Sequence, residues 1–268
     1  MKISPSSPAT AIAKSQEAVQ KNLKRLASGR RIGSASDDAA GLAIAQTLSA
    51  QEQSHAVASR NAVNGAGMLQ IADGSLAGQQ ESLGRLRELA VQSGNGTLSD
   101  SDRQAIQAEA NGLLSELDRT ADSTEFNGTP LLADTSTSTF QVGIDSKGAQ
   151  DQVTATIAGS TTNHLGINGL DLSTPGAATS SLGALDGAIQ QVSQNRAGIG
   201  ASIERLKSAY ETSQAAQESA SRSRSTIEDA DVAAEASDLA SNQIQQYMAI
   251  AVEAQSRISA SASLRLLA

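Results

Sequence analysis

The 268-residue chain has no cysteine and no tryptophan. It carries two histidines, four prolines and four aromatic residues: Phe126, Phe140, Tyr210 and Tyr247. Each shortage removes a class of protein. Without cysteine there is no thiolate nucleophile and no disulfide framework. With only His55 and His164, a zinc site would need carboxylates to complete it. So few rings cannot fill the kind of core that compact globular domains build from aromatic side chains. No stretch approaches the ~20 apolar residues that span a bilayer. The start, Met1-Lys2-Ile3-Ser4-Pro5, continues polar, so no signal-peptide core is expected. The net charge of −8 argues against nucleic acid as a partner, because phosphate contacts need a basic surface. Lys21, Lys24, Arg25, Arg30 and Arg31 form a local basic cluster, which we take for a solvated helix face.

What the chain does have is helical periodicity. Its apolar share of 39% is mostly Ala, Leu, Ile and Val, which suits slender rods whose helices approach closely. Near the C-terminus Ala240, Ile244, Tyr247, Ala251, Ala254 and Ile258 alternate by four and three. Near the N-terminus Ile12, Val19, Leu23 and Leu26 keep the same seven-residue register. Such narrow stripes are seams for other helices rather than faces of a broad core. The ends are therefore expected to pair with each other or with further copies of the chain.

The spacing predicts a first helix over 8–28 that stops at Gly29. A polar connector follows, with Ser36 as the expected N-cap and Asp37 and Asp38 favouring the positive end of the next helix. In that long helix Leu48, His55, Ala62, Leu69, Leu76, Leu83 and Ala90 recur every seven residues. Its second seam position is polar: Glu52, Ser59, Asp73 and Gln80. Glycines at 65, 67, 74, 78 and 84 imply close helix contacts or a break between 65 and 78. A third helix begins near Ser99 with Asp102 completing a capping box, carries the stripe Ile106, Ala110, Leu113 and Leu117, and stops before Asn127-Gly128-Thr129-Pro130.

Period two then replaces period 3.6. Phe140, Val142 and Ile144 alternate with polar residues, as do Val153, Ala155 and Ile157, which predicts a β-hairpin turning over Asp145-Ser146-Lys147-Gly148. Residues 158–180 read as loop, with room for a short strand near 165–172. From Leu182 the four-three rhythm resumes through Leu185, Ile189, Val192, Ile199, Ile203, Leu206 and Tyr210, with Arg196 interrupting, to about 225. Residues 227–231 form a junction before the last helix. The expected class is mainly α: a long antiparallel helical rod with a terminal coiled coil and a small β-hairpin segment in the middle of the chain. Residues 1–36 with 228–268 would form the coiled-coil domain. Residues 37–227 would form the rod, with its β segment at about 133–180.

No HExxH, phosphate-binding glycine loop or GxSxG motif is present. His55 falls on the helical seam as a packing residue, and His164 lies in a Gly/Ser/Thr loop without an evident partner. Asp37 and Asp38 are explained by capping. The chain is not expected to be an enzyme or to hold a cofactor or metal.

The run from Ser28 to Ala45, SGRRIGSASDDAAGLAIA, resembles the N-terminal signature of bacterial flagellins, the subunits of the flagellar filament. Residues 85–93, RLRELAVQS, are similar to their second signature. Gln107-Ala108-Glu109, Phe126-Asn127-Gly128, Glu228-Asp229-Ala230-Asp231 and Leu266-Leu267 follow in the family's order. The resemblance covers about 1–132 and 181–268 and implies a short form lacking large variable outer domains. It implies an inner-tube coiled coil, here Val19, Leu23, Leu26, Ala240, Ile244, Tyr247, Ala251, Ala254 and Ile258, and an outer rod layer. It further implies a homopolymer used for swimming, exported through the flagellar type III channel to an extracellular filament. A chaperone, a filament cap and hook–filament junction proteins would be partners. Arg85, Leu89, Gln92 and Glu109 match positions that in the family contact protofilament neighbours and the vertebrate Toll-like receptor that senses flagellin. Two other readings are a hook–filament junction protein, present as about one ring, and a secreted helical binding module with an ordered C-terminus in solution.

Overall fold

The computed structural model describes residues 8–145 and 148–267. Met1–Pro5 and the centre of the Asp145–Gly148 loop lie outside the described residues. Five helices, α1 (Pro8–Ser28), α2 (Ala39–Ser93), α3 (Asp100–Ser123), α4 (Pro175–Glu228) and α5 (Val232–Leu267), carry the chain. Two small hairpins fall between α3 and α4: β1 (Glu125–Phe126) with β2 (Thr129–Pro130), and β3 (Ser136–Gln141) with β4 (Gln152–Ile157). The class is mainly α, as the periodicity predicts. The chain divides into two compact units, Met1–Glu52 with Glu218–Ala268, and Gln53–Gln217.

In the 53–217 unit the seven-residue stripe of α2 is the spine of the core. Ala62, Leu69, Leu76, Leu83 and Ala90 are buried, alongside Ile106, Ala110 and Leu117 of α3 and Leu185, Val192, Ile199 and Leu206 of α4. Each buried leucine contributes ~1.5–3 kcal/mol by leaving water. The polar second seam of α2 and the interruption at Arg196 explain one another. Arg196 Nε donates to Asp73 Oδ1 at 2.8 Å and Nη1 to Gln80 Oε1 at 2.8 Å. Helix α2 runs unbroken through its glycines. Only Gly65 among those five is closely approached: a Cβ there would meet the Phe140 ring at 2.8 Å, whereas 67, 74, 78 and 84 face open space.

Ser99 caps α3, with the reciprocal bond to Asp102 in place. Arg103, buried one turn later, donates to the carbonyls of Ser93, Asn95 and Leu98 and so ties off the end of α2. Asn127 and Gly128 both have positive φ, 52° and 76°, the geometry of a two-residue hairpin turn.

Two expectations shift. The larger hairpin pairs 136–141 with 152–157, earlier than the Phe140–Ile144 alternation suggests. The inward face of β3 includes Ser136 and Ser138, which carry no apolar signal, and the ladder closes where Val142 N and Gly143 N both donate to Asp151 O. No strand forms over 165–172. Its backbone instead closes tight turns, with Leu165 N donating to Thr161 O and Ile167 N and Asn168 N to Thr162 O, and is tied to the helices by Gln107 Nε2 and Ser93 Oγ, which donate to the Leu170 and Leu172 carbonyls. Leu165, Ile167, Leu170 and Leu172 are buried without a ladder. Helix α4 also begins earlier than expected, at Pro175, the fixed φ of proline suiting the first helical position.

Candidate assembly surface

The unit made of 1–52 and 218–268 is organised around a short backbone clasp. Gly29 ends α1 with φ 68°. The next residues then lie antiparallel to the junction after α4. Arg31 N donates to Glu228 O at 2.7 Å, Ala230 N donates to Gly29 O at 2.9 Å, and Arg30 bridges Asp229. Most of the basic cluster is solvent-exposed, as expected, and four of its five residues also make contacts within the chain. Arg30 pairs with Glu228 at 2.9 Å, Arg31 donates to the Ile227 carbonyl at 2.6 Å, Arg25 pairs with Glu235 at 2.7 Å and Lys21 with Asp37 at 3.2 Å. Arg224 joins Glu228 to Glu52. Ile32 is buried and packs against Gly41, where a Cβ would sit 2.7 Å from its Cδ1.

The caps differ from the expected ones. Asp38, not Ser36, caps α2, accepting from Gly41 N at 2.9 Å. Asp37 turns back and accepts from Gly33 N, Ser34 N and Ser34 Oγ. Those bonds, Ser34 foremost, and Lys21 lower its carboxyl to about 2. Asp231 caps α5 through Ala233 N and Ala234 N.

Beyond the clasp α1 and α5 pack against each other, antiparallel, as Arg25 meeting Glu235 and Asn22 meeting Leu239 and Asn242 require. On α5 the covered residues are Glu235, Leu239, Asn242, Gln246, Ala249 and Glu253. At 100° per residue that stripe lies roughly 140° around the axis from the apolar one. Ala240, Ile244, Tyr247, Ala251, Ala254 and Ile258 are all exposed, Ile244 at 59% and Tyr247 at 71%. On α1, Val19 and Leu26 are half-buried and Leu23 is 49% exposed. The two helices thus meet, but the residues whose spacing marked the C-terminal seam face outward. The polar stripe that carries the intrachain contact gave no hydrophobic signal; matching amides and an Arg–Glu pair, three residues apart on α1 and seven on α5, were its only trace.

In the 53–217 unit the structure brings Arg85 and Glu109 together at 2.8 Å, with Glu88 at 3.1 Å from the same guanidinium. Gln92 is exposed on the next turns of α2. Leu89 is buried beneath them, so its side chain supports the patch from the core. His55 is half-buried. His164 does have partners: its Nδ1 lies 2.8 Å from Thr161 Oγ1, and Asp134 is 3.8 Å from Nε2. Among the described residues no group of three His, Cys, Asp or Glu could hold a metal, and no helix is long and apolar enough to cross a membrane.

These features can be set beside known proteins. The bacterial flagellin N-terminal helical region matches residues 2–137 and the bacterial flagellin C-terminal helical region matches 182–267. A flagellar filament 30.7 kDa core protein of Treponema maltophilum is 33% identical over 262 residues, covering 93% of this chain and 92% of that one. A flagellin of Listeria innocua is 34% identical over 258 residues, covering 90% and 89%. A solved structure, a putative flagellar hook-associated protein from Vibrio parahaemolyticus, aligns with a TM-score of 0.62 over 72% of this chain and all of that one; at 16% identity it shares the fold. Two relatives matched nearly end to end leave no room for a large outer insertion between the helical regions. The chain belongs to the bacterial flagellin family, a family of structural filament subunits and not of enzymes.

Proposed function

We propose that the outward apolar stripe of α5, together with Leu23 and its half-buried neighbours on α1, is the surface that other copies of the chain cover in the filament. The observation that carries this reading is the exposure of Ile244, Tyr247 and Ile258 along one face of a helix already paired on another. Covering such side chains is worth ~1.5–3 kcal/mol each, repeated in every subunit. On this reading 1–36 with 228–268 form the inner coiled-coil tube and 37–227 the outer layer. The family resemblance supports export through the flagellar channel to the cell exterior, with a chaperone, a filament cap and junction proteins as partners. The same resemblance supports recognition of the free subunit by the flagellin-sensing receptor through Arg85, Gln92 and Glu109.

Deleting 240–268 tests the central claim. The truncated chain should not polymerise, alone or on seeds of full-length filament, while the 53–217 unit melts as before. Filaments from the truncated chain would overturn the proposal. For the receptor, soluble Arg85→Ala subunit should activate a reporter cell less than the native subunit; no response to either would remove it from the partners.

A further inference from the structure

The contact between α1 and α5 has an amide pair at its centre. Asn22 is only 6% exposed. With the amide turned to the one orientation that satisfies its neighbours, its Nδ2 donates to the Ala18 carbonyl at 3.1 Å, and its Oδ1 accepts from Leu239 N at 3.1 Å and from Asn242 Nδ2 at 3.2 Å. One turn away Arg25 and Glu235 form their ion pair. Leucines at 22 and 242 would bury more apolar surface, so stabilisation alone does not account for asparagines there.

Asparagine does what leucine cannot: it distinguishes one alignment of two helices from the others. Sliding α5 by one heptad brings Asn22 opposite Ala249, which has no side-chain donor, so the oxygen keeps only a main-chain N–H and loses the amide that marks the register. Rolling α5 about its axis to lay Ile244 and Tyr247 on α1 gains apolar burial. It also strands Asn22 against apolar side chains and separates Arg25 from Glu235. That roll is the dangerous alternative, because it would consume within one subunit the stripe meant for its neighbours.

We propose that Asn22 and Asn242 are specificity-determining residues of self-assembly: they fix the register of α5 on α1 and its rotation, and so keep the apolar stripe turned outward. The inference rests on the filament reading above for its consequence, and on the amide geometry for its mechanism.

The absence of cysteine makes the test direct. Nitroxide labels on Gln20→Cys and Ser241→Cys, both exposed positions, report the α1–α5 distance. It is measured in filaments where labelled chain is diluted with unlabelled chain. The parent should give one narrow distance. The N22L/N242L double variant should keep its helical signal yet gain a second population displaced by about 10 Å, one heptad of rise, or a rotated one. Its critical concentration for seeded polymerisation should rise about tenfold. N22A/N242A, which removes the amides without adding apolar bulk, should broaden the distance less. A single unchanged distance with native assembly in both variants overturns the proposal. So does a loss of helix in N22L/N242L, the mark of a merely stabilising pair, or a broad distance in parent filaments. Parent chain that forms no filaments overturns the filament reading, whereas parent filaments with a distance unchanged in both variants overturn the register mechanism alone.

Discussion

Arg196 sits where an apolar residue would continue the stripe of α4, and Asp73 and Gln80 sit where α2 would want the same. Separately each breaks a pattern; together they make one half-buried cluster that a single change would leave unpaired. The same residue-level logic sorts the glycines of α2. Gly65→Ala should cost about 1–3 kcal/mol, because the Phe140 ring has to move. Gly74→Ala, at an exposed position with nothing within 4 Å, should stabilise the 53–217 unit by about 0.5–1 kcal/mol through helix propensity alone. Thermal melts of both variants check the opposite signs. Nothing in the spacing of glycines separates these two positions, because the difference comes from a ring on a strand 75 residues away.

At the scale of elements, helices were legible and strands less so. Seven-residue runs such as Leu69, Leu76 and Leu83 fix both the type of α2 and its buried face. The Ser99–Asp102 pair likewise marked where α3 begins. The first half of β3 was hidden because Ser136 and Ser138 occupy inward positions opposite Ile157 and Ala155, so its partner supplies all the apolar surface. The connector between α1 and α2 was legible as a turn but not as a device. There Asp37, held to about 2 by Ser34, the Gly33 amide and Lys21, lies below its unfolded value near 3.9. A depressed carboxyl stabilises the folded connector above pH ~4 and loses that effect as pH falls towards 2. Amide exchange at Gly33 and Ser34 should accelerate across that window. In Asp37→Asn it should be fast, and nearly flat with pH once the intrinsic rate is removed.

For the whole molecule, assembly is the property that matters, and it separates cleanly from folding. Ile244→Asp and Tyr247→Asp place charges on an exposed face of α5. The free subunit should therefore keep its stability within about 0.5 kcal/mol. Neither variant should extend native filament seeds, as electron microscopy or light scattering would record. The family was legible from its signatures. The division of α5 into a polar face turned to α1 and an apolar face left exposed was not, because hydrophobic periodicity reports only the second.

The clasp between residues 29–32 and 227–230 joins positions 196 apart at Arg31 and Ile227. Contacts so distant along the chain pay their loop-closure entropy before they gain anything, and that entropy is small only after the intervening chain has folded. The subunit is therefore expected to complete from its middle outward, with the clasp as a late step. A chain kept from closing those few backbone hydrogen bonds remains threadable at both ends. The same bonds, once made, convert two loose tails into a single defined joint.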